Sequence, residues 1–212
     1  MNILCAPVGP LQANCYIVWD EARRACAIDP GGEPGRLARI LQKEGLTLEA
    51  ILVTHGHFDH VEGVQGLAEA TGATVYCSAL VAPVLRGEQG CSASGYPVPG
   101  LASRHPLQVV EDGAVVGVGT FEVAVIATPG HTPGDLTFDI EGHLFPGDLI
   151  FYRSVGRTDF PGGDFAQLLA SVATLGKRYP RTTPIYPGHM QSTTLGAELE
   201  ANPFLAGVCE GE

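Results

Sequence analysis

The stretch Thr54-His-Gly-His-Phe-Asp-His60 follows directly on the apolar run Ala50-Ile-Leu-Val53, so a buried strand must end in a loop carrying three imidazoles and a carboxylate. Alternate spacing puts His55 and His57 on one side, where they supply two nitrogens to one metal ion. Asp59 and His60 can swing to a second ion. This mixture of nitrogen and oxygen donors suits zinc, iron or manganese.

The same context recurs three times. His131 follows Val-Ile-Ala-Thr-Pro-Gly, Asp148 follows His-Leu-Phe-Pro-Gly and His189 follows Ile-Tyr-Pro-Gly, each an apolar strand closed by a Gly/Pro turn with the polar residue at its tip. With the first cluster they give five of the seven histidines and two carboxylates, enough for two metals bridged by one carboxylate and a water. His105 and His143 lack this context and read as structural or surface histidines. Asp29, at the end of a strand and before Pro-Gly-Gly, is a turn residue or a carboxylate that orients a ligand histidine. Spacing alone slightly favours the turn.

The pattern along the chain predicts strands at 3–5, 15–19, 25–28, 50–53, 74–77, 107–110, 114–118, 121–127, 135–140, 143–145 and 183–186. Helices are expected at 34–44, near 61–71, near 79–86 and near 164–175, with a long surface loop over 87–106. Strand-rich halves interleaved with helices suggest an α+β chain, two packed sheets with helices outside, in a single domain 1–212. No internal repeat points to a solenoid.

A net charge of -11, not gathered into a run, repels polyanions and argues against nucleic acid as a partner. The six cysteines, Cys5, Cys15, Cys26, Cys77, Cys91 and Cys209, form no CxxC pair and read as free core thiols. The opening Met-Asn-Ile-Leu-Cys-Ala-Pro has no basic region or long apolar stretch, so neither export nor a membrane span is expected. A cytoplasmic location fits both observations. Oligomeric state is not legible.

The set Thr54-His-x-His-x-Asp-His60, Gly-His131, Gly-Asp148 and Gly-His189 resembles the metallo-β-lactamase superfamily over nearly the whole chain. The resemblance implies an αββα sandwich of two mixed sheets, with His55, His57 and His131 on one metal and Asp59, His60 and His189 on the other. It implies further that Asp148 bridges them and that Asp29 supports a ligand from behind. Within the superfamily, Val8-Gly-Pro-Leu-Gln-Ala-Asn-Cys-Tyr16, Ser154-Val-Gly-Arg-Thr-Asp-Phe-Pro-Gly-Gly-Asp164 and Asn202-Pro-Phe-Leu205 resemble the short glyoxalase II-like hydrolases.

That likeness implies a small-molecule substrate, a glutathione thioester such as S-D-lactoylglutathione, cleaved by a metal-bridging hydroxide with zinc as the first choice of metal. Asp59 and Asp148 would be the catalytic carboxylates, and Arg157 would contact a carboxylate of the glutathione moiety unless it pairs with Asp159 or Asp164. Full-length glyoxalase II carries a helical C-terminal domain, whereas only residues 190–212 follow the last ligand here. The Gly-Arg-Thr-Asp-Phe segment also resembles persulfide dioxygenases, whose single iron would map to His55, His131 and Asp148. A β-lactamase is disfavoured by the opening sequence and by the bridging carboxylate.

Overall fold

The computed structural model describes residues 1–91 and 97–208, so part of the 87–106 loop and Cys209 lie outside the described residues. Strands β1 (Asn2–Val8), β2 (Ala13–Trp19) and β3 (Arg24–Ile28) run antiparallel. Strands β4 (Thr47–Leu52), β5 (Thr74–Cys77) and β6 (Leu107–Val109) continue the sheet in parallel, giving the order β1-β2-β3-β4-β5-β6.

Both faces of this sheet's central strands are covered, which is why β2 and β3 are buried along nearly their whole length. Ile17, Ala25, Ala27 and Ile51 face one way and pack with Leu37 and Leu41 of α1 (Pro34–Glu44) and Leu67 of α3 (Val64–Thr71). Their neighbours Tyr16, Val18, Cys26, Ile28 and Leu52 face the other way, as a two-residue period requires.

That second face meets another six-stranded sheet. Strands β7 (Val115–Val118), β8 (Phe121–Ala127), β9 (Leu136–Ile140) and β10 (His143–Phe145) form an antiparallel meander, with Val116, Val123, Val125 and Phe138 turned to the inter-sheet core. The order is β14-β13-β10-β9-β8-β7, with β13 (Pro184–Ile185) parallel to β10 and β14 (Thr193–Thr194) at the edge. On its far side Leu168, Val172 and Leu175 of α5 (Phe165–Arg178) pack on Ile126, Leu144 and Ile185. The layers therefore run helix, sheet, sheet, helix, and both sheets are mixed.

Several expected elements differ in extent. The helix expected near 61–71 is two, α2 (Phe58–Val61) and α3, because the chain must break to let Gly63 donate its amide to the Pro30 carbonyl at 3.0 Å. A Cβ on Gly63 would stand 2.5 Å from that oxygen. The helix near 79–86 shrinks to α4 (Ala82–Leu85).

A hairpin of β11 (Ile150–Phe151) and β12 (Ser154–Val155), with strand β14 and helix α6 (Leu195–Ala201), had not been expected. The fully buried Glu198 joins them, accepting from the Arg153 amide at 2.8 Å, Thr193 Oγ1 at 2.7 Å and Asn202 Nδ2 at 3.0 Å. Cys15, Cys26, Cys77 and Cys91 are buried free thiols, but Cys5 is exposed and so is no core residue. Among the described residues no helix is long and apolar enough to cross a membrane.

Candidate metal centre

Each candidate ligand group begins three or four residues past a strand end: His55 after β4, His131 after β8, Asp148 after β10 and His189 after β13. The seven side chains converge. His57 Nδ1 faces His131 Nε2 at 2.8 Å, and the His55 ring centroid lies 4.8 Å from that of His57 and 4.9 Å from that of His131. On the other side, Asp59 Oδ2 stands 3.2 Å from His189 Nε2 and 3.7 Å from His60 Nε2. Asp148 lies between the two groups, with Oδ1 3.3 Å from His60 Nε2, and Oδ2 3.6 Å from His131 Nε2 and 3.7 Å from His189 Nε2.

Hydrogen bonds behind the rings fix which nitrogen faces inward. Thr54 Oγ1 donates to Asp29 Oδ2 at 2.6 Å, so its oxygen is left to accept from His55 Nδ1 at 3.0 Å. His60 Nδ1 donates to the same Asp29 oxygen at 2.8 Å, and His131 Nδ1 donates to the Arg157 carbonyl at 2.7 Å. Each of these imidazoles is thereby held with its Nε2 lone pair toward the centre, as metal-ligating histidines are.

The buried atoms His55 Nε2, His60 Nε2 and Asp148 Oδ1 have no hydrogen-bond partner. The 3.3 Å between the last two is an ion-pair distance without hydrogen-bond alignment. Orphaned buried polar atoms are costly, and three aimed at one space fit a cation. Ligand atoms of His55, His57 and His131 lie within 4.8 Å of one another, as do those of Asp59, His60 and His189. The donor set fits a metal.

Asp29 also has a carboxylate oxygen within 4.8 Å of ring nitrogens of His55 and His60. Its oxygens are nevertheless taken by Thr54 and His60 Nδ1, so it sits behind the rings and not among the inward-facing donors. It is also a turn residue, with φ of 49°. The two readings of Asp29 describe one geometry.

Electrostatics agree with a centre awaiting positive charge. Burial, followed by the facing His131, pushes His57 down to about 4, and burial with the surrounding histidines holds His55 well below the usual imidazole range. His60 goes the other way: burial opposes its charge, but Asp148 and Asp29 outweigh burial and hold the ring protonated to a higher pH. Asp148 is depressed, because His60, His189 and His131 overcome the burial that would raise it. A cation taken by His60 Nε2 would compete with protonation at that nitrogen, so metal binding there would release a proton.

The centre forms the floor of a cavity of about 400 Å³. Leu11, Phe58, Phe151, Val155 and Phe160 make its apolar wall, and Arg157 is the one Lys or Arg among its described lining residues. The Arg157 guanidinium lies 3.8 Å over the Phe160 ring and makes two 2.7 Å hydrogen bonds to Asp159, whose carboxyl it depresses to about 2. Asp164 instead caps α5, accepting from the Gln167 amide at 3.0 Å. His105 and His143 join neither ligand group; His143 Nδ1 faces the Glu141 carbonyl at 3.2 Å.

Some residues that shape the centre have no role of their own in the sequence analysis. Asn14 Nδ2 donates to the Pro187 and Met190 carbonyls at 3.0 and 2.8 Å, and Tyr16 Oη donates to Pro187 at 2.8 Å, so β2 grips the loop that presents His189. Buried Asp135 accepts from the Thr132 amide at 2.7 Å and holds the turn after His131, while its burial raises its own carboxyl to about 7.

Gly188 has no room for a side chain: a Cβ would meet Asp148 Oδ1 at 2.3 Å and His60 Cε1 at 2.7 Å. Gly188→Ala is therefore expected to lower stability by about 1–3 kcal/mol through overpacking. Metal content should fall although every ligand remains. Melting with and without chelator, beside metal analysis, checks both effects, and a variant that keeps full metal content would show that the loop yields.

The chain belongs to the metallo-beta-lactamase superfamily, whose family model matches residues 8–189. Its fold and site are those of a metal-dependent hydrolase of that superfamily. It is 35% identical over 209 residues to the hydroxyacylglutathione hydrolase GloC of Haemophilus influenzae, covering 97% of this chain and 98% of that one. Among solved structures it is similar to TTHA1623 in a di-iron-bound form, at 39% identity and TM-score 0.82, covering 95% of this chain and 100% of the other. ETHE1 from Myxococcus xanthus aligns at 31% identity and TM-score 0.80, covering 98% of this chain and 85% of that one.

Proposed function

We propose that the protein is a binuclear metal-dependent thioesterase that hydrolyses glutathione thioesters of the S-D-lactoylglutathione type. The observation that carries this reading is the second ligand group, Asp59, His60 and His189, set across Asp148 from His55, His57 and His131. A single-metal centre needs only one of these groups. The 35% identity to a hydroxyacylglutathione hydrolase supports the substrate class.

Zinc is the first candidate metal; the di-iron form of the TTHA1623 structure keeps iron beside it, and manganese suits the donors too. Ions of this kind supply Lewis acidity and hydroxide at neutral pH. The chain's own residues do the rest. Thr54, Asp29 and the Arg157 carbonyl keep His55, His60 and His131 in the tautomers that face inward. Asp59 and Asp148 would be the carboxylates at the reacting centre, facing His60, His131 and His189 as ligands and orienting the attacking water between the two groups.

The wall of Leu11, Phe58, Phe151, Val155 and Phe160 excludes bulk water, and Arg157 takes a substrate carboxylate. A departing thiol has a pKa of about 8.5 and leaves without a strong general acid. Outside the proposed ligand set, Arg157 is the only ionisable described residue lining the cavity, and it is not an acid.

Metal analysis of the purified protein, paired with an assay of thiol release from S-D-lactoylglutathione, tests the reading. Two ions per chain and thiol release are expected. One iron per chain with oxygen uptake on glutathione persulfide would overturn it in favour of a persulfide dioxygenase, a reading that the likeness to ETHE1 makes the main alternative.

A further inference from the structure

We infer that Asp159 is a specificity-determining residue: an internal carboxylate that occupies the Arg157 fork and must be displaced by a carboxylate of the incoming substrate. The inference rests on the thioesterase reading for the identity of the substrate, but its geometry stands separately. Arg157 Nε and Nη2 each donate to a different oxygen of Asp159 at 2.7 Å, the two-point arrangement a guanidinium makes with any carboxylate ligand. The cavity's only described Lys or Arg is therefore already engaged.

Asp159 is not needed to place the guanidinium. The Phe160 ring holds it from below at 3.8 Å, and Phe160 is itself fixed edge-on to His57 with 6.0 Å between centroids. The Arg157 backbone is anchored independently through its carbonyl to His131 Nδ1. Removing the Asp159 charge therefore leaves the fork where it is and replaces the two charge-assisted bonds by at most one weaker neutral one.

Both side chains are more than half exposed, at 56% and 67%, so the clasp is a solvent-screened pair that a second carboxylate can exchange. With a net charge of -11 the molecule offers an anionic substrate little general attraction, and occupancy of this one fork sets how strongly carboxylates compete. Neutral thioesters would enter the cavity without touching the clasp.

The test is equilibrium binding of S-methylglutathione, whose thioether cannot be hydrolysed, to metal-loaded wild type and Asp159→Asn by calorimetry. The variant should bind about two- to fivefold more tightly, the range that an exposed ion pair spans. In hydrolysis, KM for S-D-lactoylglutathione should fall by a similar factor with kcat unmoved, while the uncharged S-D-lactoyl-N-acetylcysteamine shows no change. Adding Arg157→Ala should abolish the gain.

Equal or weaker S-methylglutathione binding in Asp159→Asn, or no binding to either protein, overturns the inference whatever the hydrolysis rates are. Tighter binding without turnover of either thioester supports the clasp and overturns the thioesterase reading instead.

Discussion

The Asp148→Ala variant is expected to fold, to purify with little metal and to show no measurable thioester hydrolysis. Among the described carboxylates that face inward, Asp148 reaches both ligand groups, lying 3.3 Å from His60 on one side and 3.6 Å from His131 on the other. Losing an outer partner of a metal ligand typically costs about 10–100-fold in affinity or activity, and losing a ligand shared by two ions must cost more. Melting in chelator separates this from misfolding: the chelated variant should melt close to chelated wild type. Undiminished turnover with full metal content would remove Asp148 from the centre.

Asp29 gives the second large effect by a different route. Asp29→Ala strands two buried donors, the Thr54 amide and His60 Nδ1, and leaves the Thr54 hydroxyl to find a new acceptor. Each stranded donor costs about 1–3 kcal/mol, so the loss is about 2–6 kcal/mol of stability. At 2–4 °C per kcal/mol for a chain of this size, the melting temperature should fall by roughly 4–24 °C.

Asp29→Asn separates folding from function. The amide oxygen can still accept from Thr54, but its NH2 presented to His60 favours the tautomer protonated on Nε2, which closes the nitrogen that faces the centre. This variant should melt nearer to wild type yet bind metal about 10–100-fold more weakly. Wild-type metal affinity in Asp29→Asn would show that the carboxylate does not set the His60 tautomer.

The convergence of the candidate ligands was legible because His55, His131, Asp148 and His189 each follow an apolar strand within four residues, and His57, Asp59 and His60 follow His55 closely in sequence. The two-layer arrangement followed from the same runs. Less visible were the elements whose signal is tertiary. The β11–β12 hairpin and α6 are short and gather around Glu198, a lone glutamate that carries no pattern until Arg153, Thr193 and Asn202 surround it.

Gly63 splits a helix that periodicity alone would continue, because the constraint comes from Pro30, thirty-three positions away. Asn14 and Tyr16 fall in the Val8–Tyr16 segment that carries the subfamily resemblance, but nothing in that segment gave them a role; only the fold brings the His189 loop against them. Spacing could not choose between a turn and a supporting role for Asp29, since the residue combines a positive φ with a hydrogen bond to His60 Nδ1.

The grip of β2 on the Pro187–Met190 segment has a mechanical outcome. Three side-chain bonds from the first sheet, and a fourth from the Asn14 amide to the Gly188 carbonyl at 2.7 Å, fasten a loop that belongs to the second. The donors themselves are divided the same way, four following β4 and three following strands of the opposite layer. Ions seated among them would act as rivets across the seam of the sandwich, so prying the layers apart at this rim and stripping the protein of its metals become one and the same event.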